Sequence, residues 1–233
     1  MLILGIESAT ARIGCAIGGH EGVLAQFEMT RGRRHCETLV PAIRFTCEQA
    51  DIALDEISVV AVDVGPGLFT GLRVGLATAK ALAHALRVPV IGIASLDLVA
   101  FPVRYTSRVI VTVLDARRGE LYYAYYRQSP GGVQRVSDYL LGTPDDIVSE
   151  LLAVSHQDLL LIGDGALRYR DRFSDIRNAE FAEQWLAYPS AAPLVQLAHA
   201  RALREDWVNP WDLAPLYLRK PDADINWSIR DSH

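Results

Sequence analysis

The feature that most confines the fold is the join between residues 57–64 and residues 71–86 through Gly65-Pro66-Gly67-Leu68-Phe69-Thr70. Residues 57–64 are a continuous β-branched and apolar run, the pattern of a strand buried on both faces. Gly-Pro-Gly then forces a sharp turn. Beyond it, Leu72, Val74, Leu76, Leu82 and Leu86 alternate with Gly75, Ala77, Ala79, Ala81, Ala83 and Ala85, which predicts a long helix that is apolar nearly all round. Such a helix has to be covered on more than one side, and its small residues let a neighbouring helix come close. A buried strand turned directly into a buried helix is the hallmark of an α/β protein.

Upstream, residues 3–6, 14–17 and 23–29 are short apolar runs parted by Ala-Thr-Ala-Arg and Gly-Gly-His-Glu-Gly, which predicts three antiparallel strands. Residues 38–50 follow as a helix with Leu39, Ile43, Cys47 and Ala50 on one stripe. Pro41 belongs in its first turn, where a ring without an N–H is tolerated. Pro89 ends the long helix, residues 90–93 make another strand, and Ser95 opens a short helix that Pro102 stops. A second block begins with strands at 109–114 and 121–127, joined as a hairpin across Asp115-Ala116-Arg117-Arg118-Gly119-Glu120. A helix at 144–154, a strand at 159–162 before Gly163-Asp164-Gly165, and a helix at 192–205 complete the reading. Two halves, each with strands followed by helices, predict a duplicated α/β architecture. The expected subdomains are residues 1–103 and 104–233, with the C-terminal segment packing back on the first.

Composition narrows the function. With 233 residues, 50% of them hydrophobic, the chain can bury one large core or two sharing a cleft. The start, Met1-Leu2-Ile3-Leu4-Gly5-Ile6-Glu7, lacks a basic leader and a cleavage site, so no exported precursor is expected. Apolar stretches are strand-sized, which sets aside a membrane span. Cys15, Cys36 and Cys47 show no CxxC spacing, and a reducing cytoplasm fits them best. A net charge of −5 opposes autonomous binding to a polyanion. Arg31, Arg33 and Arg34 form the main basic cluster, read as a solvated loop.

The chemistry-bearing candidates each have a structural alternative. With Thr70 as N-cap, the exposed N–H groups around Gly67, Thr70 and Gly71 and the helix dipole behind them would favour a phosphate or carboxylate. Neither a Walker lysine nor GxGxxG spacing accompanies them, so a turn that sets the helix angle is the preferred reading over an autonomous nucleotide site. Glu7, at a strand end, is expected to bond nearby loop amides. His35 and Glu37 are read as capping residues, and His20, His84, His156, His199 and His233 show no metal-ligand spacing. For Asp115 to Gly119, charged side chains facing a cleft or a partner and a plain turn held by Asp115 and Arg117 remain alternatives. Gly163-Asp164-Gly165 is read as a tight strand-to-helix turn.

The glycine-rich turn, the first strand and Leu114-Asp115-Ala116-Arg117-Arg118-Gly119-Glu120-Leu121-Tyr122 together resemble the TsaB (YeaZ) family. Arg34-His35-Cys36-Glu37-Thr38-Leu39-Val40-Pro41, Gly163-Asp164-Gly165-Ala166 and Pro215-Leu216-Tyr217-Leu218-Arg219 extend the likeness over nearly the whole chain. The resemblance implies an actin-like (ASKHA, RNase H-like) duplicated fold with two βα subdomains. It also implies a non-catalytic, cytoplasmic role beside the homologous TsaD subunit, which makes threonylcarbamoyladenosine next to the anticodon of ANN-decoding tRNAs. A small ATPase, TsaE, joins them in bacteria. tRNA would be met mainly through the complex, as would ATP or ADP, and no cofactor or metal of the chain's own is expected.

Partner-facing positions expected from the two apolar helices are Leu39, Ile43 and Cys47 on the first, and Leu72, Leu76, Ala79, Lys80 and Ala83 on the second. Without TsaD the same patch suits a homodimer. Two departures matter. Glu7-Ser8-Ala9 stands where Asp-Thr-Ser is common, so a shared phosphate loop does not follow. The paired helical histidines of TsaD-like relatives correspond here to Ser95 and Val99, and neither replaces a histidine ligand. A competing reading, an actin-like ATPase or phosphotransferase, needs a phosphate loop, a carboxylate and an adenosine pocket, of which fragments are visible. A metallopeptidase would need ligands that the sequence lacks.

Overall fold

The computed structural model describes residues 1–30, 35–153 and 156–219. The basic cluster Arg31, Arg33 and Arg34, with Lys220 and His233, lies outside the described residues, as does the side chain of His35. Strands β1 (Leu2–Glu7), β2 (Ile13–Gly19) and β3 (Gly22–Met29) pair antiparallel in sequence. Helix α1 (His35–Ala50) leads to β4 (Ile57–Gly65), parallel to β1, and α2 (Phe69–Leu86) leads to β5 (Val90–Ala94), parallel to β4. The resulting order is β3-β2-β1-β4-β5.

After α3 (Ser95–Ala100) the pattern repeats. Strands β6 (Val109–Arg117), β7 (Glu120–Ser129) and β8 (Gly132–Arg135) are antiparallel, and β9 (Leu140–Gly142) adds to β7. Helix α4 (Pro144–Ala153) precedes β10 (Leu159–Ile162), parallel to β6; α5 (Asp164–Arg168) and α6 (Arg170–Phe173) precede β11 (Ala179–Phe181), parallel to β10. Read from the hairpin edge, the second order is β8-β7-β6-β10-β11, the same as the first. Each half is three antiparallel strands followed by two crossover strands parallel to its first. This is the duplicated, actin-like α/β fold.

The period-two alternation of β1 sorts the first core into two layers. Leu4 and Ile6 face α1 and α2, meeting Leu39, Ile43, Leu76, Ala79 and Ala83. Ile3 faces the other way, toward Leu194, Val195 and Ala198 of α7 (Ala191–Ala202). The two halves exchange helices: α3 buries Leu96, Val99 and Ala100 among residues of the second sheet such as Ile110, Leu114 and Tyr126, while α7 covers the first sheet. After α7 the described chain runs first along the first half, where Val208 bridges Val90 and the Leu216 N–H donates to the Val64 carbonyl at 2.7 Å, and then reaches the second, where Leu218 packs beside Tyr122 and Arg219 donates to the Ala116 carbonyl at 3.1 Å.

Local structure departs from the sequence expectation in three places. Helix α1 starts at His35, so Pro41 falls inside it rather than in its first turn. Helix α2 starts at Phe69 with Leu68 at the N-cap, which makes Thr70 an exposed residue of the first turn and not a cap. The last helix stops at Ala202, short of Glu205, whose φ of 58° lies in the left-handed region.

The largest correction concerns the positions expected to face a partner. Leu39, Ile43, Cys47, Leu72, Leu76, Ala79 and Ala83 are all buried in this fold. The reason is physical: a helix laid on a sheet spends its continuous apolar stripe on that sheet first. Lys80, half-buried, is the one residue of the set outside the core. Leu76→Glu or Ala79→Glu therefore places an unpaired carboxylate in the core and is expected to abolish folding rather than loosen an association. Leu39→Ala is expected to cost about 2–5 kcal/mol in urea denaturation. A Leu76→Glu chain that retained a cooperative native transition would overturn this placement.

Candidate functional site

The cleft between the halves and the outer face of α1 and α2 bring together most of the candidate residues. The cleft is walled by the loop after β1, the turn Pro66-Gly67-Leu68, and Leu114, Asp115, Tyr122 and Asp164 of the second half. Its free volume is about 10 Å³. The turn that could have cradled an anion is instead pressed on the β1–β2 loop. A Cβ on Gly67 would lie 2.2 Å from the Ala9 carbonyl oxygen, and the Leu68 N–H donates to that same oxygen at 2.6 Å. Ser8 Oγ donates to the Gly71 carbonyl at 2.9 Å and sits where a Cβ on Gly75 would be, 2.3 Å away. Gly67 and Gly71 thus hold the two segments together, while Thr70 is exposed beside them.

Beneath this contact lie two buried carboxyl groups. Glu7 Oε1 accepts the Ala9 N–H at 2.8 Å, the loop-amide bond expected of it. Asp63 Oδ1 accepts the Gly65 N–H and the Ser95 hydroxyl, each at 2.7 Å. Glu7 Oε2 and Asp63 Oδ2 are buried without a hydrogen-bond donor, and the proximity of the two carboxyls favours the neutral form of at least one of them. Burial, then the neighbouring Asp63, raises the Glu7 carboxyl well above its usual range; burial pushes Asp63 up to about 7. Ser95 and Val99 are buried as well. Among the described residues no three His, Cys, Asp or Glu side chains converge to hold a metal ion.

The second half contributes a charged network at the cleft mouth. Asp115 accepts the Arg117 N–H at 2.9 Å and the Arg117 and Arg168 guanidiniums at 3.1 and 3.0 Å, so the turn is held by Asp115 and Arg117 and also faces the cleft. Arg117, Arg118 and Gly119 all have positive φ, closing the hairpin tightly. Asp164 Oδ1 accepts the Asp115 N–H at 3.0 Å, and burial pushes its carboxyl up to about 6. Gly163 caps α5, which makes Gly163-Asp164-Gly165 a strand-to-helix turn. Glu37 lies in the first turn of α1.

On the opposite side, α1, α2 and the turn after α1 enclose an open groove of about 650 Å³. Val40, Ile43, Cys47, Ile52, Leu54 and Leu82 line it, with Arg44, Glu48, Asp51 and Glu56 at its edge. Val40 is 61% exposed and Phe45, on the same helix, 51%. Of the residues expected at a partner surface, Ile43 and Cys47 reach this groove from below; the others do not. Val40 and Phe45 lie off the buried stripe of α1 and Leu54 lies beyond its end, so the helical period does not point to them. The signal that could have found them is a large apolar residue on the helix face that ought to be polar.

The carboxyl pair makes a testable demand. A carboxyl whose folded pKa is raised favours the neutral form, so its contribution to stability is present in acid and is lost as pH rises from about 4, where Asp63 ionises in the unfolded chain, through about 7. The Tm of the doubly substituted Glu7→Gln/Asp63→Asn chain should therefore gain on the unsubstituted chain between pH 4 and 7 and hold that gain above it. A difference independent of pH would refute the raised carboxyl pKa.

Comparison with known proteins agrees with this architecture. Residues 23–227 match the family described as TsaD: tRNA N6-adenosine threonylcarbamoyltransferase. The chain is 37% identical over 230 residues to an uncharacterized protein of Mycobacterium leprae, covering 95% of this chain but 56% of that relative, little more than half its length. It is 27% identical over 232 residues to the Bacillus subtilis tRNA threonylcarbamoyladenosine biosynthesis protein TsaB, covering 97% of this chain and 98% of that one. YeaZ from Pseudomonas aeruginosa has the same fold, with a TM-score of 0.78 at 22% identity over 93% of this chain and 99% of that one. With the family match running from the third strand to beyond the last helix, and near full-length likeness to TsaB and YeaZ, the chain belongs to the TsaD family and, within it, to the TsaB (YeaZ) branch.

Proposed function

We propose that this chain is a non-catalytic cytoplasmic subunit in the formation of threonylcarbamoyladenosine beside the anticodon of ANN-decoding tRNAs, acting by pairing with and activating a TsaD-type subunit. The observation that carries the proposal is the contrast between its two candidate surfaces. The cleft where an actin-like enzyme would hold its nucleotide has about 10 Å³ of free space, whereas the outer face of α1 and α2 presents a groove of about 650 Å³ lined mainly by apolar side chains. Ala77, Ala81 and Ala85 on the exposed side of α2 let a second helix approach closely. A homologous subunit has the same two helices, so its matching pair fits this face, and in its absence a second copy would. The metal and most of the reacting groups would come from the partner, since Ser95 and Val99 offer one weak donor between them. ATP or ADP and a TsaE-type ATPase would join through the complex.

Mixing the chain with a TsaD-type subunit should give a heterodimer on size exclusion at micromolar concentration, and persistent separation would sink the reading. Val40→Glu with Phe45→Glu should weaken pairing by about tenfold or more while leaving Tm nearly unchanged, because both side chains are largely in solvent. The isolated chain should not turn over ATP appreciably. Rapid hydrolysis would favour the actin-like ATPase instead.

A further inference from the structure

A second surface feature lies outside both regions. Where α2 ends, the segment after α7 returns along β5 and leaves an open depression of about 730 Å³ between them. His84, Arg87, Trp207, Asn209 and Trp211 supply its chemistry. Trp211 is 70% exposed and Trp207 38%. Leaving two indoles in water forgoes the burial that normally places tryptophan inside, yet neither is loosely held. Val208 exchanges two backbone hydrogen bonds with Val90, at 2.9 and 3.2 Å, and the Trp211 N–H donates to Asn209 Oδ1 at 3.0 Å. The Trp211 ring meets the His84 ring edge-on with 5.4 Å between centroids.

The charged side chains that line the depression are cationic, while Asp206 and Asp212 stand next to the two tryptophans in the chain. Among the described residues no carboxylate lines the depression. Arg87 caps α2 in the left-handed region with φ of 57°, its N–H spent on the Ala83 and His84 carbonyls, and its exposed guanidinium forms no ion pair among the described residues. Asp206, on the flank, is committed to Arg201 at 3.8 Å. Arg73 and Lys80, seven residues apart, share a stripe of α2, a helix with no acidic residue, and Arg87 follows at its C-terminal cap. At its far end the Arg73 guanidinium lies 3.8 Å from the centre of the Phe69 ring, which packs against Tyr217. In a chain of net charge −5, this is a track of unneutralised cations interleaved with flat aromatic faces.

We propose that the depression binds unstacked nucleotides of single-stranded RNA, with Trp211 as a base-stacking platform and Arg87 and His84 as phosphate partners. The ligand class follows from the pairing of ring and cation: a base exposes its π-face to an indole only when unstacked, and its phosphate satisfies the guanidinium beside it. An acidic protein segment would use the cations but leave both indole faces unfilled. The proposal rests on the functional reading above in one respect, that a component of tRNA modification meets a single-stranded loop.

Anisotropy of a short fluorescein-labelled single-stranded RNA, titrated with the full chain alone and with the assembled pair, tests it. Saturable binding is expected, weaker for the same strand annealed to its complement. Trp211→Ala should reduce single-strand affinity about tenfold, and Trp211→Phe should restore most of it. Arg87→Ala should lower the salt slope by about 1. Co-elution with the TsaD-type subunit should be unaffected by any of the three. Absence of saturable binding in both forms, or equal affinity for the unsubstituted chain and Trp211→Ala, overturns the proposal. So does release of the TsaD-type subunit by Trp211→Ala without RNA binding, which makes the depression a protein contact. Failure of the unsubstituted chain to co-elute refutes the functional reading and leaves the titration of the isolated chain to decide this one.

Discussion

The contact between the β1–β2 loop and the glycine side of α2 governs the rest of the molecule. Gly67 admits the Ala9 carbonyl and Gly75 admits Ser8 Oγ at distances no Cβ would allow. The Leu68 N–H and Gly71 carbonyl complete the join with hydrogen bonds. Because α2 is drawn this close to the end of β1, its Leu72, Leu76, Ala79 and Ala83 side reaches the sheet and is wholly spent there. Its opposite side is left to solvent. The same approach fills the space between the two halves where an actin-like enzyme would need room for phosphate.

Burial of Glu7 and Asp63 follows from that closure. With the loop seated on α2, water has no route to the strand ends, and two carboxyl groups in a dry site cannot both ionise. Each is half-satisfied by a backbone N–H, and Ser95 adds a hydroxyl to Asp63. The position that in TsaD-like relatives is expected to hold a metal ligand is used here to bond a carboxyl group. The cleft holds little free space among the described residues, and larger open depressions lie beside α1 and at the C-terminal end of α2.

Much of this was legible in the sequence. Runs of β-branched residues marked nearly every long strand to within two or three residues, because strand burial imposes composition directly. The short strands β8, β9 and β11 and the small helix α6 left no mark, since three or four residues carry too little periodicity to register, whereas the start of α5 was implied by the strand-to-helix turn at Gly163. The repeat itself became plain only when both sheets were seen to share one order. Cys47, expected on the apolar stripe of the first helix and at the partner surface, is buried in the core and lines the groove floor.

The sequence by itself determined that a buried strand, a glycine turn and an apolar helix would form the centre of an α/β protein with a family-specific hairpin and C-terminal motif. Local composition and chain order suffice for that. What only the tertiary structure decided is which side of each helix the sheet consumes, whether the glycine turn holds an anion or a neighbouring loop, and which distant residues, such as Trp211 and His84, come to face one another. Those outcomes depend on how closely segments far apart in sequence approach, and spacing along one chain does not encode that distance.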